Sequence, residues 1–304
     1  MPAAVKVRVS ATVANLGPGF DALGVAVKMH LEIELEPRRD SVEVMVEGEG
    51  AETLPADESN LVIRAMNTFF DHAGRRPPGY AVRVRNPIPL GSGLGSSAAA
   101  VVGGLTAARA ITGWQVHQSE MVQLATSIEG HPDNVMPALL GGLVVSYRDT
   151  VEHDLRYFRI EPSDRLVPIL VVPARGFSTA QARRVLPDSV SFADAQYTAS
   201  RAALLVAAVA SGAGGDVLAD AMTDRLHEPH RFDLMPETAA VHAELREAGL
   251  AAALAGAGPS LLVITAKPEA ATRAEQVRRI CRARQAGWRV FVSEWESEGA
   301  ISSN

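Results

Sequence analysis

The chain has 304 residues, 47% of them hydrophobic, enough to bury a sizeable core and, at this length, to divide it between two lobes. A formal net charge of −6, with Lys and Arg scattered rather than clustered, argues against nucleic acid as a partner and for small molecules. Cys281, alone of its kind, excludes an intramolecular disulfide and a multi-cysteine zinc site, no stretch has the ~18 to 20 apolar residues of a membrane span, and the amino terminus lacks the apolar run of a signal peptide, so no membrane association and a reducing, cytoplasmic setting are expected.

Val5, Val7 and Val9 alternate with Lys6, Arg8 and Ser10, the pattern of a half-buried strand, which ends in the turn-rich run Ala14-Asn15-Leu16-Gly17-Pro18-Gly19-Phe20-Asp21. Asn15 and Asp21 suit a turn as well as they suit a site. Strands over 24–35 and 41–47 follow, which makes an antiparallel start more natural than a doubly wound parallel sheet. A helix opens at Leu61 behind Ser59 or Asn60 as cap and ends near Gly74. The next strand, over 80–86, delivers the chain to Pro87-Ile88-Pro89-Leu90-Gly91-Ser92-Gly93-Leu94-Gly95-Ser96-Ser97, and an alanine-rich helix runs from Ala98 to Ile111.

That strand, glycine loop and helix read as a phosphate cradle. Glycines at every second position let main-chain N–H groups approach an anion, and the helix N-terminus adds unpaired donors and partial positive charge. The loop is not a P-loop, because it has no lysine, and not a dinucleotide fingerprint, because Gly95 arrives one residue early and no acidic residue follows at the expected distance. A tight turn with capping serines is the plainer alternative.

Gln118 to Ile128 reads as a helix leading into Glu129-Gly130-His131-Pro132-Asp133-Asn134, more polar functionality within six residues than a connector requires. A strand covers 143–147, and the polar run 148–154 is the expected boundary between lobes at 1–154 and 155–304. Beyond it come a nearly continuous apolar strand over 166–172, helices over 178–186, 192–211, 216–227 and 237–248, and two apolar strands around Gly256-Ala257-Gly258-Pro259-Ser260. By itself that tip is an ordinary glycine-proline turn. A last helix over 268–284 and a strand over 288–292 complete a mixed second half, an antiparallel sheet backed by helices.

Taken together, ANLGPGFDALG, PIPLGSGLGSSAAA and LAGAGPSLLVI, in that order, resemble the GHMP kinase superfamily; EGHPDNV, STAQARRVLP and RLHEPHR draw the resemblance toward its homoserine kinase family. Ser10, Val13 and Ser260 depart from the usual spelling. The resemblance covers nearly the whole chain. It implies an α+β, two-lobed GHMP kinase fold, with an N-terminal lobe like ribosomal protein S5 domain 2 and a ferredoxin-like C-terminal lobe. The implied reaction transfers the γ-phosphoryl group of ATP to the side-chain hydroxyl of L-homoserine. The loop from Pro87 through Ile88, Pro89, Leu90, Gly91, Ser92, Gly93, Leu94, Gly95 and Ser96 to Ser97 would hold the ATP phosphates, with Asn60 near the adenine. Ser97 and Glu129 would hold Mg²⁺, a hard cation suited to oxygen ligands.

For a zwitterionic substrate the resemblance assigns Arg183 and Arg231 to the carboxylate. Asn15, Asp21, His131 and Asp133 would line the amino and hydroxyl end, with Thr179 a helical turn before Arg183 and the turn from Gly256 to Gly258 closing over them. Asp133 and Asn134 would act in catalysis by orienting the hydroxyl for in-line attack rather than by taking a full proton first. The sequence does not reveal the oligomeric state and is compatible with a homodimer. Competing readings are a GHMP kinase for another small alcohol, such as mevalonate, shikimate or a sugar, and a non-catalytic nucleotide-binding protein on the same scaffold.

Overall fold

The computed structural model describes residues 4–284 and 287–303; the outer limits of the two expected lobes, residues 1 and 304, lie outside them. The chain begins with strands β1 (Val5–Asn15), β2 (Gly19–Arg38) and β3 (Val42–Gly48), helix α1 (Leu61–Ala73) and strand β4 (Gly79–Asn86). Helices α2 (Ser96–Thr112), α3 (Gln118–Glu129) and α4 (Pro132–Leu140) precede strands β5 (Leu143–Arg148), β6 (Leu155–Ile160) and β7 (Leu166–Val172). Then come α5 (Thr179–Arg184), α6 (Phe192–Ser211), α7 (Gly215–Ala221), α8 (Glu228–Phe232) and α9 (Pro236–Glu247). Strands β8 (Ala251–Leu254) and β9 (Leu261–Ala266), helix α10 (Ala270–Arg284) and strands β10 (Arg289–Val292) and β11 (Ile301–Ser303) finish it.

The first sheet runs β11-β1-β2-β4-β3, with β5 on β2 and β6 on β5. Its opening is antiparallel, as expected, but β3 pairs parallel to β4, the two joined by α1. In the first half of β1 only one face is buried, Val5, Val7 and Val9 pointing inward and Lys6 and Arg8 outward. The chain enters α1 at Asn60, whose side chain accepts from Val62 N, and leaves it at Gly74 in the left-handed conformation.

The second sheet, β10-β7-β9-β8, is antiparallel throughout. Both of its faces are covered. Ile169, Val171, Leu261 and Val263 enter the cluster that includes Val241 of α9 and Val277 of α10, whereas Leu170, Leu262 and Ile264 enter the large core that includes Leu205 of α6 and Leu218 of α7. Burial on two sides explains why β7 lacks the alternation of a half-exposed strand. The large core also contains the inward residues of β1 and β2, so it runs from one sheet to the other.

The sheets do not divide the chain at one position. Strand β6, after residue 154, pairs with β5, and β11 returns from the second sheet to pair with β1. Within the polar run 148–154, Arg148 ends β5 and pairs with Leu155, and residues 149–154 form the hairpin connection to β6.

Candidate functional site

The glycine loop leaves β4 at Asn86, a buried side chain that accepts from Ile88 N at 3.0 Å and donates to Glu49 O at 3.1 Å. Gly91, Gly93 and Gly95 have φ of 60°, 84° and 68°, the left-handed region in which a Cβ is penalised. Two of them are also short of space: a Cβ would stand 2.1 Å from Ala255 O at Gly93 and 2.0 Å from Thr12 Oγ1 at Gly95. The loop is clamped by Thr12 N donating to Leu94 O at 3.1 Å, Ser260 N to Ser92 O at 3.1 Å and Phe177 N to Gly91 O at 2.8 Å. Gly95 caps α2 without a side-chain hydrogen bond, so the first amides of this 17-residue helix are open to an anion.

Helix α3 ends at Glu129, Gly130 turns the chain in the left-handed conformation, and α4 starts with His131 as cap and Pro132 at its first position. The polar cluster is thus split across a helix break that faces the glycine loop. Ser97 donates to Glu129 Oε2 at 2.6 Å. Burial pushes the Glu129 carboxyl above the usual range. Thr12 donates to Asn134 Oδ1 at 2.9 Å, which leaves the amide N–H groups of Asn134 free of that partner. Asp133, 7% exposed, has its carboxyl raised to about 6, mainly by burial and secondarily by Asp21.

The end of the site away from the glycine loop is built from loops of both sheets. Asn15, Leu16 and Asp21 hold φ of 67°, 51° and 54°, rare for residues with a side chain and clustered here in one turn. The buried Asn15 amide donates to Gly256 O at 2.9 Å and accepts from Asp21 N at 3.0 Å, joining that turn to the β8–β9 connection. Arg183 on α5 donates to both Asp21 oxygens at 2.8 and 3.0 Å. Arg231 on α8 is 2% exposed and donates to Gly256 O at 3.0 Å and Ala182 O at 3.3 Å. Burial lowers its pKa, yet a guanidinium stays charged. A cation and an anion already paired in a cleft are what a zwitterion can insert between.

One cleft is lined by Ala14, Asn15, Asp21, Pro89, Gly91, Ser92, Gly93, Gly95, Ser96, Ser97, Glu129, His131, Asp133, Asn134, Thr179, Arg183, Arg231, Gly256 and Ala257. Pro87, Ile88, Leu90, Leu94 and Gly258 are not in its wall; Ile88 and Leu94 are fully buried beneath the loop, and the left-handed Gly258 packs on Met235. Asn60 is also outside it, a buried helix cap that donates to Pro55 O at 2.7 Å. Sequence reasoning did not single out Thr12, Asn86, Ala257 or His227. Thr12 and Asn86 sit inside strand patterns, where only alternation was legible. Ala257 has no polar signal, and His227 stood at the end of an expected helix.

A helix N-terminus offering bare amides, opposed by carboxylates and paired guanidinium groups, is the arrangement of a phosphoryl-transfer site for a small charged acceptor. The family model of the GHMP kinases N terminal domain matches residues 60–142, and that of the GHMP kinases C terminal matches residues 205–283. Among curated proteins, homoserine kinase of Streptomyces coelicolor is 44% identical over 86% of this chain and 84% of its own, and that of Streptomyces avermitilis 40% identical over 98% and 95%. The crystal structure of homoserine kinase from Cytophaga hutchinsonii superposes with a TM-score of 0.87 at 28% identity, covering 100% of this chain and 98% of that one. Mevalonate kinase of L. major in complex with R-mevalonate shares the fold, with a TM-score of 0.73 at 17% identity over 97% and 96% of the two chains. The chain therefore belongs to the GHMP kinase family and has its two-lobed α+β fold. Within that family it stands with the homoserine kinases, as an ATP-dependent small-molecule kinase. No helix among the described residues is long and apolar enough to cross a membrane.

Proposed function

We propose that this chain transfers the γ-phosphoryl group of ATP to the side-chain hydroxyl of L-homoserine, giving O-phospho-L-homoserine for threonine synthesis. One observation carries the choice of acceptor: the Asp21–Arg183 pair and the buried Arg231 line the same cleft as the glycine loop. Mevalonate, shikimate and sugars carry no ammonium group and leave Asp21 and Asp133 without a partner. The relatives' names point the same way.

On this reading the amides of the glycine loop and of the first turn of α2 bind the ATP phosphates. Ser97 and Glu129 supply hard oxygens beside them, and Glu129 is a carboxylate whose burial a cation would offset, so the pair fits Mg²⁺. When bound, that ion neutralises phosphate charge. Arg183 and Arg231 hold the substrate carboxylate, and Asp21 receives its ammonium. Asn15 and the turn at Gly256 and Ala257 fix the pocket wall, with His131 and Thr179 along it, and Gly258 supports that turn from behind on Met235. Asp133, with Asn134 held by Thr12, orients the hydroxyl. The hydroxyl oxygen forms the new bond to the γ-phosphorus as the bond to ADP breaks, and its proton passes late to an oxygen of the transferred phosphoryl group, which a loose transition state permits. Orientation can contribute effective molarities of ~10⁵ to 10⁸ M against ~10² to 10⁴ for a general base, so positioning can dominate.

The binding lobes extend past the 154/155 boundary on this reading, β6 and β11 belonging with the ATP-binding sheet. A cytoplasmic location and a homodimer accompany the proposal, the second open to light scattering. The central test is ADP release by the purified chain with Mg²⁺-ATP and homoserine, mevalonate, shikimate or galactose. Turnover with homoserine alone is expected. Preference for mevalonate or shikimate overturns the acceptor assignment, and no turnover with any acceptor favours a nucleotide-binding protein without catalysis.

A further inference from the structure

His227 lies directly before α8, fully buried, and is not among the residues lining the cleft. Its ring spans two groups that do line it or lead into it. Nε2 is 2.7 Å from Gly17 O and Nδ1 is 3.0 Å from Arg231 Nη1. A carbonyl only accepts and a guanidinium only donates, so the partners assign the proton: Nε2 carries it, and Nδ1 presents its lone pair to Arg231. The other tautomer satisfies neither bond, and the imidazolium sets N–H against N–H beside a like charge. Burial, with Arg231 adding to it against the pull of Asp224, holds the ring pKa down at about 4, so the ring is neutral near pH 7.

Asp224 is not the ring's partner. Its Oδ2 is 3.7 Å from Nε2, and the carboxylate already accepts from Leu226 N, His227 N and Glu228 N at 3.0, 2.7 and 2.9 Å. Those bonds fix the backbone from which the imidazole projects. The ring face stacks on Phe20 with centroids 5.1 Å apart at 29°. The guanidinium carbons of Arg231 and Arg183 stand 5.3 and 5.7 Å from the same Phe20 ring. Phe20 and Gly17 belong to the turn whose Asn15, Leu16 and Asp21 keep φ between 51° and 67°, a conformation that persists only where neighbours over-determine it.

We infer that His227 is a positioning residue for the amino-acid subsite: a neutral imidazole that holds Gly17 O with Nε2–H and accepts from Arg231 at Nδ1, fixing the buried arginine against the strained amino-terminal turn. It rests on the proposed roles of Arg231 and Asp21 toward homoserine. Because Arg231 spends Nε on Ala182 O and Nη1 on Gly256 O and His227, the direction of its remaining donors is set by these bonds. The subsite thus owes its spacing to a residue outside its wall.

The variants His227→Gln and His227→Asn divide the two bonds, since a glutamine amide can reach the Nε2 position and an asparagine carbonyl the Nδ1 position. Each is expected to raise KM for homoserine about tenfold, the loss of one hydrogen bond to a charged or strained partner, while KM for ATP stays within about twofold. His227→Ala, which removes both bonds, is expected to raise KM for homoserine further than either. Rates are expressed per ATP-binding-competent enzyme, and melting temperatures are taken alongside. A purely structural role lowers the melting temperature and active fraction but leaves both KM values alone; that result, or equal rises in the two KM values, overturns the inference. A second readout does not depend on substrate: nitrogen-15 NMR of histidine-labelled wild-type protein is expected to show the Nε2–H tautomer, untitrated from about pH 5 to 8. An Nδ1–H tautomer or titration in that range defeats it. If the wild-type enzyme does not phosphorylate homoserine, the function proposal fails and the subsite role falls with it, whereas the NMR result still decides the tautomer by which His227 holds Gly17 and Arg231.

Discussion

Asp133 shows how burial sets the working range of a single residue. It stands in the first turn of α4, where the helix favours negative charge, but desolvation wins and lifts its carboxyl to about 6. The deprotonated form is the one that can accept from a hydroxyl or ammonium group. The kcat/KM for homoserine is therefore expected to fall as pH drops through about 6, and Asp133→Asn is expected to remove this acid limb along with most of the activity. The stability consequence has the opposite sign. A folded-state pKa above the unfolded value means the native chain binds more protons between about pH 4 and 6, so stability falls as pH rises through that window and stays lower above it. The neutral Asp133→Asn should thus gain up to about 2 kcal/mol at pH 7 while losing function, since about two pK units correspond to less than 3 kcal/mol before relaxation. Denaturant titrations at pH 4 and pH 7 check this: an equal stability difference at both pH values excludes the Asp133 carboxyl as its source.

At the scale of elements, the site depends on how closely two glycine turns meet. Gly93 approaches Ala255 O and Gly258 O, and Gly256 approaches Gly93 O. Gly93→Ala combines the strain of φ 84° with a Cβ 2.1 Å from a carbonyl oxygen, so the loop must move. A loss of roughly 2 to 4 kcal/mol in stability and a tenfold or larger rise in KM for ATP are expected, from backbone strain plus a displaced cradle. Unchanged ATP binding by calorimetry counts against the cradle's role. The sequence could show this loop because its glycines are spelled out in order, but not its neighbour: the turn at 256–260 looked ordinary from its own residues, and only the fold sets it against Gly93. Local signals also served α6, which spans Phe192–Ser211 as expected behind the Ser191 cap. They failed at 216–227, read as one helix. There α7 stops at Ala221, and Asp224 uses its side chain on the amides of residues 226–228 to seat α8, a local competition that periodicity does not register. Strand β6 was hidden because Arg156 and Arg159 interrupt its apolar residues, and its exposed Phe158 follows no inward pattern. Asn60 belongs to the same lesson from the other side, since the cap was legible from sequence whereas its placement outside the cleft was not.

Across the whole molecule, the end of the chain joins the two sheets. After β10 the backbone pairs with Pro168 O of β7 through Ser293 N, then with β2, where Glu294 O accepts from Lys28 N and Glu296 N donates to Ala26 O. Trp295 bridges Val27 and is 8% exposed within the large core, and Glu296 holds His30 at 2.6 Å before β11 joins β1. The same segment receives Gly142 N at Glu296 O, at the junction between α4 and β5. The helix that carries Asp133 and Asn134 is thus fastened at its far end by residues that left the other sheet. Such a connection favours unfolding as one cooperative unit despite the two sheets. Trp295→Ala should cost about 3 kcal/mol, the low end for truncating a buried aromatic, because its indole N–H has no partner to lose. At roughly 2 to 4 °C per kcal/mol for a chain of this size, the melting temperature should drop by about 6 to 12 °C. If the strap couples the sheets, scanning calorimetry will also resolve the single transition into two, the first-sheet transition carrying most of the shift. A single transition displaced by less than about 2 °C, about what a surface substitution produces, would mean that the shared core couples the sheets without it.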